Sequence, residues 1–328
     1  MSVASPTVLA LRNLSIEFVT AGGVLRAVDD VCFEVEAGET LVIIGESGSG
    51  KSTLLRGLLR LHDSATSRTR GQVLLEGEDL MGLSSKAMAQ VRGGRVAMIF
   101  QDASAALDPY YTVGDQIAEA LTLHRAMTRR QASERAISLM AEVGIAAPES
   151  KAGNYPHQLS GGMQQRLLIA MAIACEPTLL LADEPTSALD VTTQAQILEL
   201  LKEIQRRSGT AVILVTHDLG IAAATADRVA VMYGGQVVEY GPRDSVLGAP
   251  QHPYTRALMA ANVTADSTGL LKVIPGEVPD LHNLPSGCRF ASRCELASDV
   301  CLSAPPPVLS VASAHSVRCT LYETLTTR

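Results

Sequence analysis

LVIIGESGSGKST, Leu41 to Thr53, sets the reading of the whole chain. The apolar run Leu41 to Ile44 enters a glycine-rich turn, and a helical pattern continues from Ser52 to about Leu61. Strand, tight loop and helix in that order are the setting in which G-x-x-x-x-G-K-[ST] holds phosphate. Gly45, Gly48 and Gly50 let the backbone turn its N–H groups inward, so that they and the helix start face anionic oxygens. Lys51 is placed to reach the β and γ phosphates of a nucleotide, and Ser52 to offer its hydroxyl to Mg2+. A glycine turn without a ligand would not need this lysine and serine spacing.

A second segment, LLLADEP at Leu179 to Pro185, reads as a buried strand that delivers two carboxylates at its carboxyl end, where ligands of open α/β sheets sit. Asp183 is the candidate to help hold Mg2+, and Glu184 to orient the attacking water, because phosphoryl transfer asks the protein mainly for positioning and electrostatics. Capping of the next helix would account for only one of the two acids.

With the third segment, LSGGMQQR at Leu159 to Arg166, the chain resembles the nucleotide-binding subunits of ATP-binding cassette (ABC) transporters. The resemblance implies a P-loop α/β ATPase core with a β-rich subdomain and a helical subdomain carrying the signature. It implies that Ser160, Gly161 and Gly162 of one subunit close over the γ phosphate held by another, with a helix starting near Met163. It also implies that Gly45, Glu46, Ser47, Gly48, Ser49, Gly50, Lys51, Ser52 and Thr53 cradle ATP. Gln101 would touch Mg2+ and the water and couple to the membrane partner, His217 in VTHD would contact the γ phosphate, and Ser187 to Asp190 would form the loop after the catalytic acid. Phe18, before the phosphate loop, is assigned to adenine stacking, with a place in the core as its alternative.

Composition excludes several classes. At 328 residues and 47% hydrophobic, the chain can bury a large core, and a net charge of −7 argues against a nucleic-acid partner. No apolar run reaches the roughly 18 residues of a membrane helix, Leu167 to Cys175 being short, so any channel is expected in other chains. The N-terminus has no basic start followed by an apolar stretch, so secretion is not expected. The basic cluster Arg125 to Arg135 reads as the solvated face of a helix.

Periodicity outlines the organisation. Strands at Leu9–Phe18, Val28–Val35 and Gln72–Leu75 surround the phosphate loop, and core strands are expected at Leu41–Ile44, Val96–Phe100, Leu179–Ala182 and Ala211–Thr216. Helices at Val113–Ala126 and Gln131–Val143 fall in a helical insert at about 103–165. Strands near Arg228–Tyr233 and Gln236–Tyr240 finish an ATPase domain spanning 1–250.

From 251 to 328 proline rises, and four of the six cysteines fall here. QHPYTRALMAA at Gln251 to Ala261 and IPGEVPDLHNLPSGCRFASRC at Ile274 to Cys294 resemble the C-terminal extension of peptide and nickel importer ATPases, as does Gln101 to Leu121. That pattern has proline and asparagine where this chain has Ala103 and Asp108. Cys288, Cys294, Cys301 and Cys319 are separated by five, six and seventeen residues. An ATPase belongs in a reducing compartment, which disfavours disulfides, and there is no C-x-x-C pair, although spacing alone leaves zinc open. The resemblance implies a [4Fe-4S] cluster on these four thiolates. Arg289, Arg293 and Arg318, each beside one of them, are expected to offset their charge; His315 could substitute as a ligand, but four cysteines make that unnecessary. Cys32 and Cys175 are expected in the core.

The expected function is the ATP-hydrolysing motor of an importer at the cytoplasmic face of the membrane. Its cofactors would be ATP, Mg2+ and the cluster. Its partners would be a second ATPase subunit, two membrane permease subunits and an external solute-binding protein. Di- and oligopeptides lead nickel as cargo by analogy alone. A soluble ABC ATPase of DNA repair or ribosomes should show a long coiled coil or tandem cassettes, and a binder without hydrolysis should show damage at Lys51, Glu184 or His217; neither is seen.

Overall fold

The computed structural model describes residues 5–262 and 274–322; parts of the expected extension, 263–273 and 323–328, and the first four residues of the N-terminal stretch lie outside the described residues. In chain order the strands are β1 (Thr7–Thr20), β2 (Gly23–Glu36), β3 (Thr40–Ile44), β4 (Ser67–Leu75), β5 (Glu78–Asp79) and β6 (Val96–Ile99). There follow β7 (Leu179–Asp183), β8 (Ala211–Val215), β9 (Arg228–Tyr233), β10 (Gln236–Pro242), β11 (Val308–Ala312) and β12 (His315–Arg318). The chain divides into two compact units. One holds Glu36–Glu39 and Gly82–Leu214 with the N-terminal residues through Val8; the other holds Leu9–Val35, Thr40–Met81 and the chain from Val215 onward.

In the first unit β8, β7 and β6 lie side by side, β6 and β7 parallel with Val96 opposite Leu179 and Ile99 opposite Ala182. β7 and β8 are buried at every position, as expected of parallel strands covered on both faces. The helices carry their own start signals. Thr112 caps Val113–His124 by accepting the Asp115 N–H, and Thr128 and Gln131 form a capping box on Arg129–Glu142. Val191–Ser208 ends at Gly209, a left-handed cap whose N–H returns to Gln205 O. Arg129 and Arg130 are exposed, as the solvated-face reading requires, and Arg135 with Arg207 holds Glu142.

In the second unit β2, β1, β4 and β5 form a four-stranded sheet, with β1 antiparallel to β4 from Leu9 opposite Leu75 to Phe18 opposite Ser67. A second set of strands runs β11, β12, β10, β9, β3, of which β3 and β9 are parallel. Every residue of β3 is buried; truncating Ile43 to alanine there would cost roughly 2–5 kcal/mol. The helix after the phosphate loop is Lys51–Leu58, shorter than its pattern. Arg60 takes φ +51° and the Leu61 N–H bonds Arg56 O at 3.0 Å, a left-handed closure that stops the helix early.

The extension adds elements the pattern did not announce. β12 pairs with β10 through Glu239 opposite Val317, and β11 follows it. Glu239, buried in β10, accepts the Gln251 and His252 N–H groups at 2.8 and 2.9 Å and lies 2.9 Å from His315 Nε2. His315 is therefore a partner of this carboxylate and not a substitute ligand. Cys32, expected in the core, is exposed: β2 alternates buried Val31, Phe33 and Val35 with outward Cys32 and Glu34, and period two fixes its side. Cys175 is buried as expected.

Candidate functional site

β3 releases the chain into Gly45 at φ +153°, where a Cβ would stand 2.1 Å from Met232 O; at Gly50, φ +98°, it would stand 2.3 Å from Ala27 O. Only glycine fits these left-handed, crowded positions. Gly50 is the N-cap, so the helix opens at Lys51 and not at Ser52. Lys51 is buried, and its ammonium donates to Gly45 O at 2.8 Å, Glu46 O at 2.9 Å and Ser49 Oγ at 3.3 Å. The lysine head group thereby sits inside a turn whose Ser47 and Gly48 are exposed and whose Ser52 and Thr53 are half-buried.

His217 belongs to the same unit. The Thr216 N–H donates to Ile43 O at 3.2 Å, tying the approach to β3. Beyond His217, Asp218 caps Leu219–Thr225 by accepting the Gly220 and Ile221 N–H groups, so the exposed histidine is presented from a turn held on both sides. Phe18 is half-buried, edge to face with His62 at 5.0 Å.

In the other unit β7 ends at buried Asp183. Glu184 follows at φ +46°, a strained left-handed conformation for a residue with a Cβ and typical of functional turns. Gln101, just past β6, donates from Nε2 to Glu184 Oε2 at 3.2 Å and to Ser187 Oγ at 3.5 Å. Asp190 caps the next helix, accepting the Thr193 N–H at 3.0 Å and its hydroxyl at 2.7 Å; Asp183 and Glu184 are thus relieved of that role. The fold brings Gln101, Glu184 and Ser187 together, while Asp190 is engaged as a cap.

The signature helix runs Gly161–Ile173, starting earlier than Met163, with Ser160 as N-cap. The Ser160 side chain makes no capping bond, and Ser160 and Gly161 are exposed. A Cβ at Gly161 would meet nothing within 4 Å, whereas at Gly162 it would lie 3.1 Å from Thr193 Cγ2. Gln164 donates to Pro156 O and Leu159 O and so fixes the loop before the helix. This is an exposed helix start whose N-cap side chain is not spent on a capping bond, a kind of terminus suited to an anion.

In the second unit the four cysteines of the extension share one neighbourhood. The Cys288 N–H donates to Cys301 O at 2.7 Å, and Cys301 Sγ lies 3.3 Å from Thr320 Oγ1, beside Cys319. Burial, the largest cause, pushes the Cys288 thiol up to about 11, and Cys319, Cys301 and Cys294 add to the rise. Burial also raises Cys301, but hydrogen bonds with Thr320 and Ser298 outweigh it and leave that thiol below its ordinary value. Among the described residues no group of three or more His, Cys, Asp or Glu is arranged to hold a metal ion.

The three arginines do not serve the thiolates. Arg289 pairs with Asp29, Arg293 with Glu46 and Arg318 with Asp30; a guanidinium finds a bidentate carboxylate a better partner than a neutral thiol. Sequence reasoning missed these pairings and the part of Tyr254, whose hydroxyl accepts the Glu46 N–H at 2.9 Å. The only local signal was an arginine beside each of three cysteines.

Residues 28–187 match the family model described as ABC transporter, and 238–301 that described as oligopeptide/dipeptide transporter, C-terminal region. The chain is 47% identical over 318 residues to the dipeptide transport ATP-binding protein DppD of Bacillus subtilis (strain 168), covering 96% of this chain and 95% of that one. It is 47% identical over 313 residues to the oligopeptide transport ATP-binding protein OppD of the same organism, covering 94% and 87%. Among solved structures, the ATP-binding cassette MJ0796, in a dimeric post-hydrolysis state bound to ADP and Pi, superposes at TM-score 0.65 and 30% identity, covering 72% of this chain and 98% of that one. The cbiO1 protein of Clostridium perfringens, part of the ABC transporter complex cbiONQ, gives 0.63 and 26%, covering 75% and 92%.

Proposed function

Because this chain belongs to the ABC transporter ATP-binding family, we propose that it is the ATP-hydrolysing motor subunit of an importer of di- and oligopeptides. One observation carries the reading. A chain with an ATPase phosphate loop continues into a region of the oligopeptide/dipeptide transporter type and is 47% identical along 96% of its length to a dipeptide transport ATP-binding protein.

Residues 1–250 form the ATPase domain, with a helical subdomain at about 103–165, and 251–328 form the extension. Gly45 to Thr53 cradle the triphosphate, Lys51 reaching the β and γ phosphates, and Phe18 stacks on adenine. Ser52, Gln101 and Asp183 would hold Mg2+, which would supply positive charge to the nucleotide phosphates. A donor set with one carboxylate fits Mg2+, which takes few protein ligands alongside substrate phosphates. Glu184, positioned by the Gln101 amide, orients the attacking water and draws its proton. His217 stabilises the γ phosphate. Ser160, Gly161 and Gly162 of a second ATPase subunit close over it, and Asp190 steadies the loop between. The chemistry is shared by two subunits, as MJ0796 is dimeric in its ADP and Pi complex.

No helix among the described residues is long and apolar enough to cross a membrane. Closure on ATP acts on two separate permease subunits from the cytoplasmic face, and a solute-binding protein delivers the peptide. Cys288, Cys294, Cys301 and Cys319 would be the ligands of a [4Fe-4S] cluster: thiols are the right kind of donor and these influence one another electrostatically, although their present arrangement is not that of a metal site. Oxygen-free purification with iron and sulfide analysis tests this, and a colourless or zinc-loaded protein overturns it.

Deletion of the chain should abolish growth on a short peptide supplying a required amino acid, with rescue by the intact chain but not by Glu184→Gln. Normal peptide growth with failed nickel uptake would change the cargo.

A further inference from the structure

Glu46 is an odd residue for an anion cradle. It follows Gly45 directly, and an ionised carboxylate there would repel the triphosphate the loop is built to receive. The structure answers it from the far end of the chain. Arg293, whose side chain is 3% exposed, donates from Nη1 to Glu46 Oε2 at 2.7 Å and from Nη2 to Glu46 Oε1 at 2.9 Å. Its other donors go to Pro275 O (2.9 Å), Ile274 O (3.2 Å) and the Tyr233 hydroxyl (3.2 Å). All five N–H groups of the guanidinium are thus used, and the side chain has one geometry available.

The surroundings are shaped for it. Gly276 lies at φ +79°, and a Cβ there would press to 3.1 Å of Arg293 Cγ. The guanidinium carbon stands 5.7 Å from the Tyr233 ring centre and 5.9 Å from that of Phe290. Tyr233, Tyr254 and Phe290 pack at 4.5 to 5.4 Å, an aromatic core in a chain with only seven tyrosines and four phenylalanines. Glu46 is held on every side: its carboxylate by Arg293, its N–H by Tyr254 and its carbonyl by Lys51.

We propose that Arg293 is a positioning residue of the phosphate loop: the C-terminal extension reaches through it to neutralise Glu46 and to hold the first turn of the loop in its nucleotide-receiving shape. A P-loop usually completes itself from its own strand, turn and helix; here one wall is supplied by a residue 247 positions downstream. Arg293 immediately precedes Cys294, and one short turn sets both, with the Arg293 N–H on Phe290 O and the Cys294 N–H on Ala291 O. The loop consequently feels how the cysteine segment is packed.

The proposal rests on Gly45 to Thr53 being the phosphate loop, and the test keeps the two apart. A fluorescent ATP analogue is titrated with Mg2+ into the full-length protein, with Lys51→Ala as the check on that premise; a wild-type chain that fails to bind the analogue would sink the premise itself. Arg293→Ala should weaken binding by about tenfold or more, raising KM for ATP while kcat at saturation changes little. Arg293→Lys, a point charge without the fork, should fold and still bind more weakly than wild type. Glu46→Gln added to Arg293→Ala should restore most of the affinity, because no unpaired carboxylate is left. Wild-type affinity in both Arg293 variants, even with a lowered melting temperature, would make the arginine merely structural and overturn the proposal. A double variant as weak as Arg293→Ala would equally overturn the charge argument.

Discussion

The helix that opens at Lys51 and the helix that opens at Gly161 are both glycine-led starts, yet they are built in opposite ways. At the first, Gly45 and Gly50 are forced by backbone carbonyls 2.1 and 2.3 Å from any Cβ, and Lys51 is fastened to its own turn. At the second, Ser160 makes no capping bond and Gly161 borders open space. The contrast teaches that the phosphate loop is braced by its own chain, through backbone carbonyls of other strands and the lysine of its own turn. The start at Gly161 leaves its surface bare, as the proposed closure of a second subunit over it would require.

Alanine at the two starts gives the sharpest attack on this contrast. Gly45→Ala should strain the loop by roughly 2–5 kcal/mol and lower nucleotide affinity by about a hundredfold or more. Titration of the isolated chain checks this; near-normal binding would mean the crowding at Gly45 is not what shapes the loop. Glu184→Gln should come next, cutting turnover by about a hundredfold or more while ATP still binds. Brisk phosphate release by that variant would remove Glu184 from the chemistry. Gly161→Ala should melt like wild type and bind nucleotide normally as an isolated chain, yet lose about tenfold in assembled ATPase activity, because in the proposed closure the added methyl group would stand where the partner's phosphate approaches. Full activity would show that no ligand comes close there.

Smaller effects should come from the helix Arg129–Glu142, in the same unit as the signature helix. Thr128→Ala removes a capping box and should cost about 1 kcal/mol, read as a lower melting temperature with unchanged nucleotide affinity. Glu142, bound by Arg135 and Arg207, has its carboxyl held below the ordinary value; partial burial alone would raise it, and the two hydrogen bonds outweigh that. Such a group stabilises the fold above its unfolded pKa, and the contribution is lost as pH falls through the lower, folded one. Glu142→Gln should therefore flatten the acid side of the melting-temperature profile, while an unchanged profile would assign the pair no role.

The core was legible because its signals are short and local. An apolar run before GESGSGKST and another before Asp183 and Glu184 each fit within a few residues of the side chains they place, and β3 and β7 appear where those runs stand. Helix ends were less legible: Arg60 stops the first helix in a left-handed conformation that no propensity announces. β11 and β12 were missed because VLSVA and HSVR show little alternation, and HSVR depends on β10 for a partner while VLSVA depends on HSVR.

By itself, then, the sequence determined where the glycine-rich turn, its lysine and the paired acids stand at the ends of buried strands, since glycine, lysine and paired acids at fixed spacing leave the local backbone few alternatives. Tertiary structure decided the use of the C-terminal arginines. Arg289, Arg293 and Arg318 stand beside cysteines in the chain, and chain proximity suggested that thiolates would receive their charge. Folding instead brings Asp29, Glu46 and Asp30 to them across 260, 247 and 288 residues. An ion pair is decided by distance and desolvation in space, and nothing in local spacing records which carboxylate will arrive.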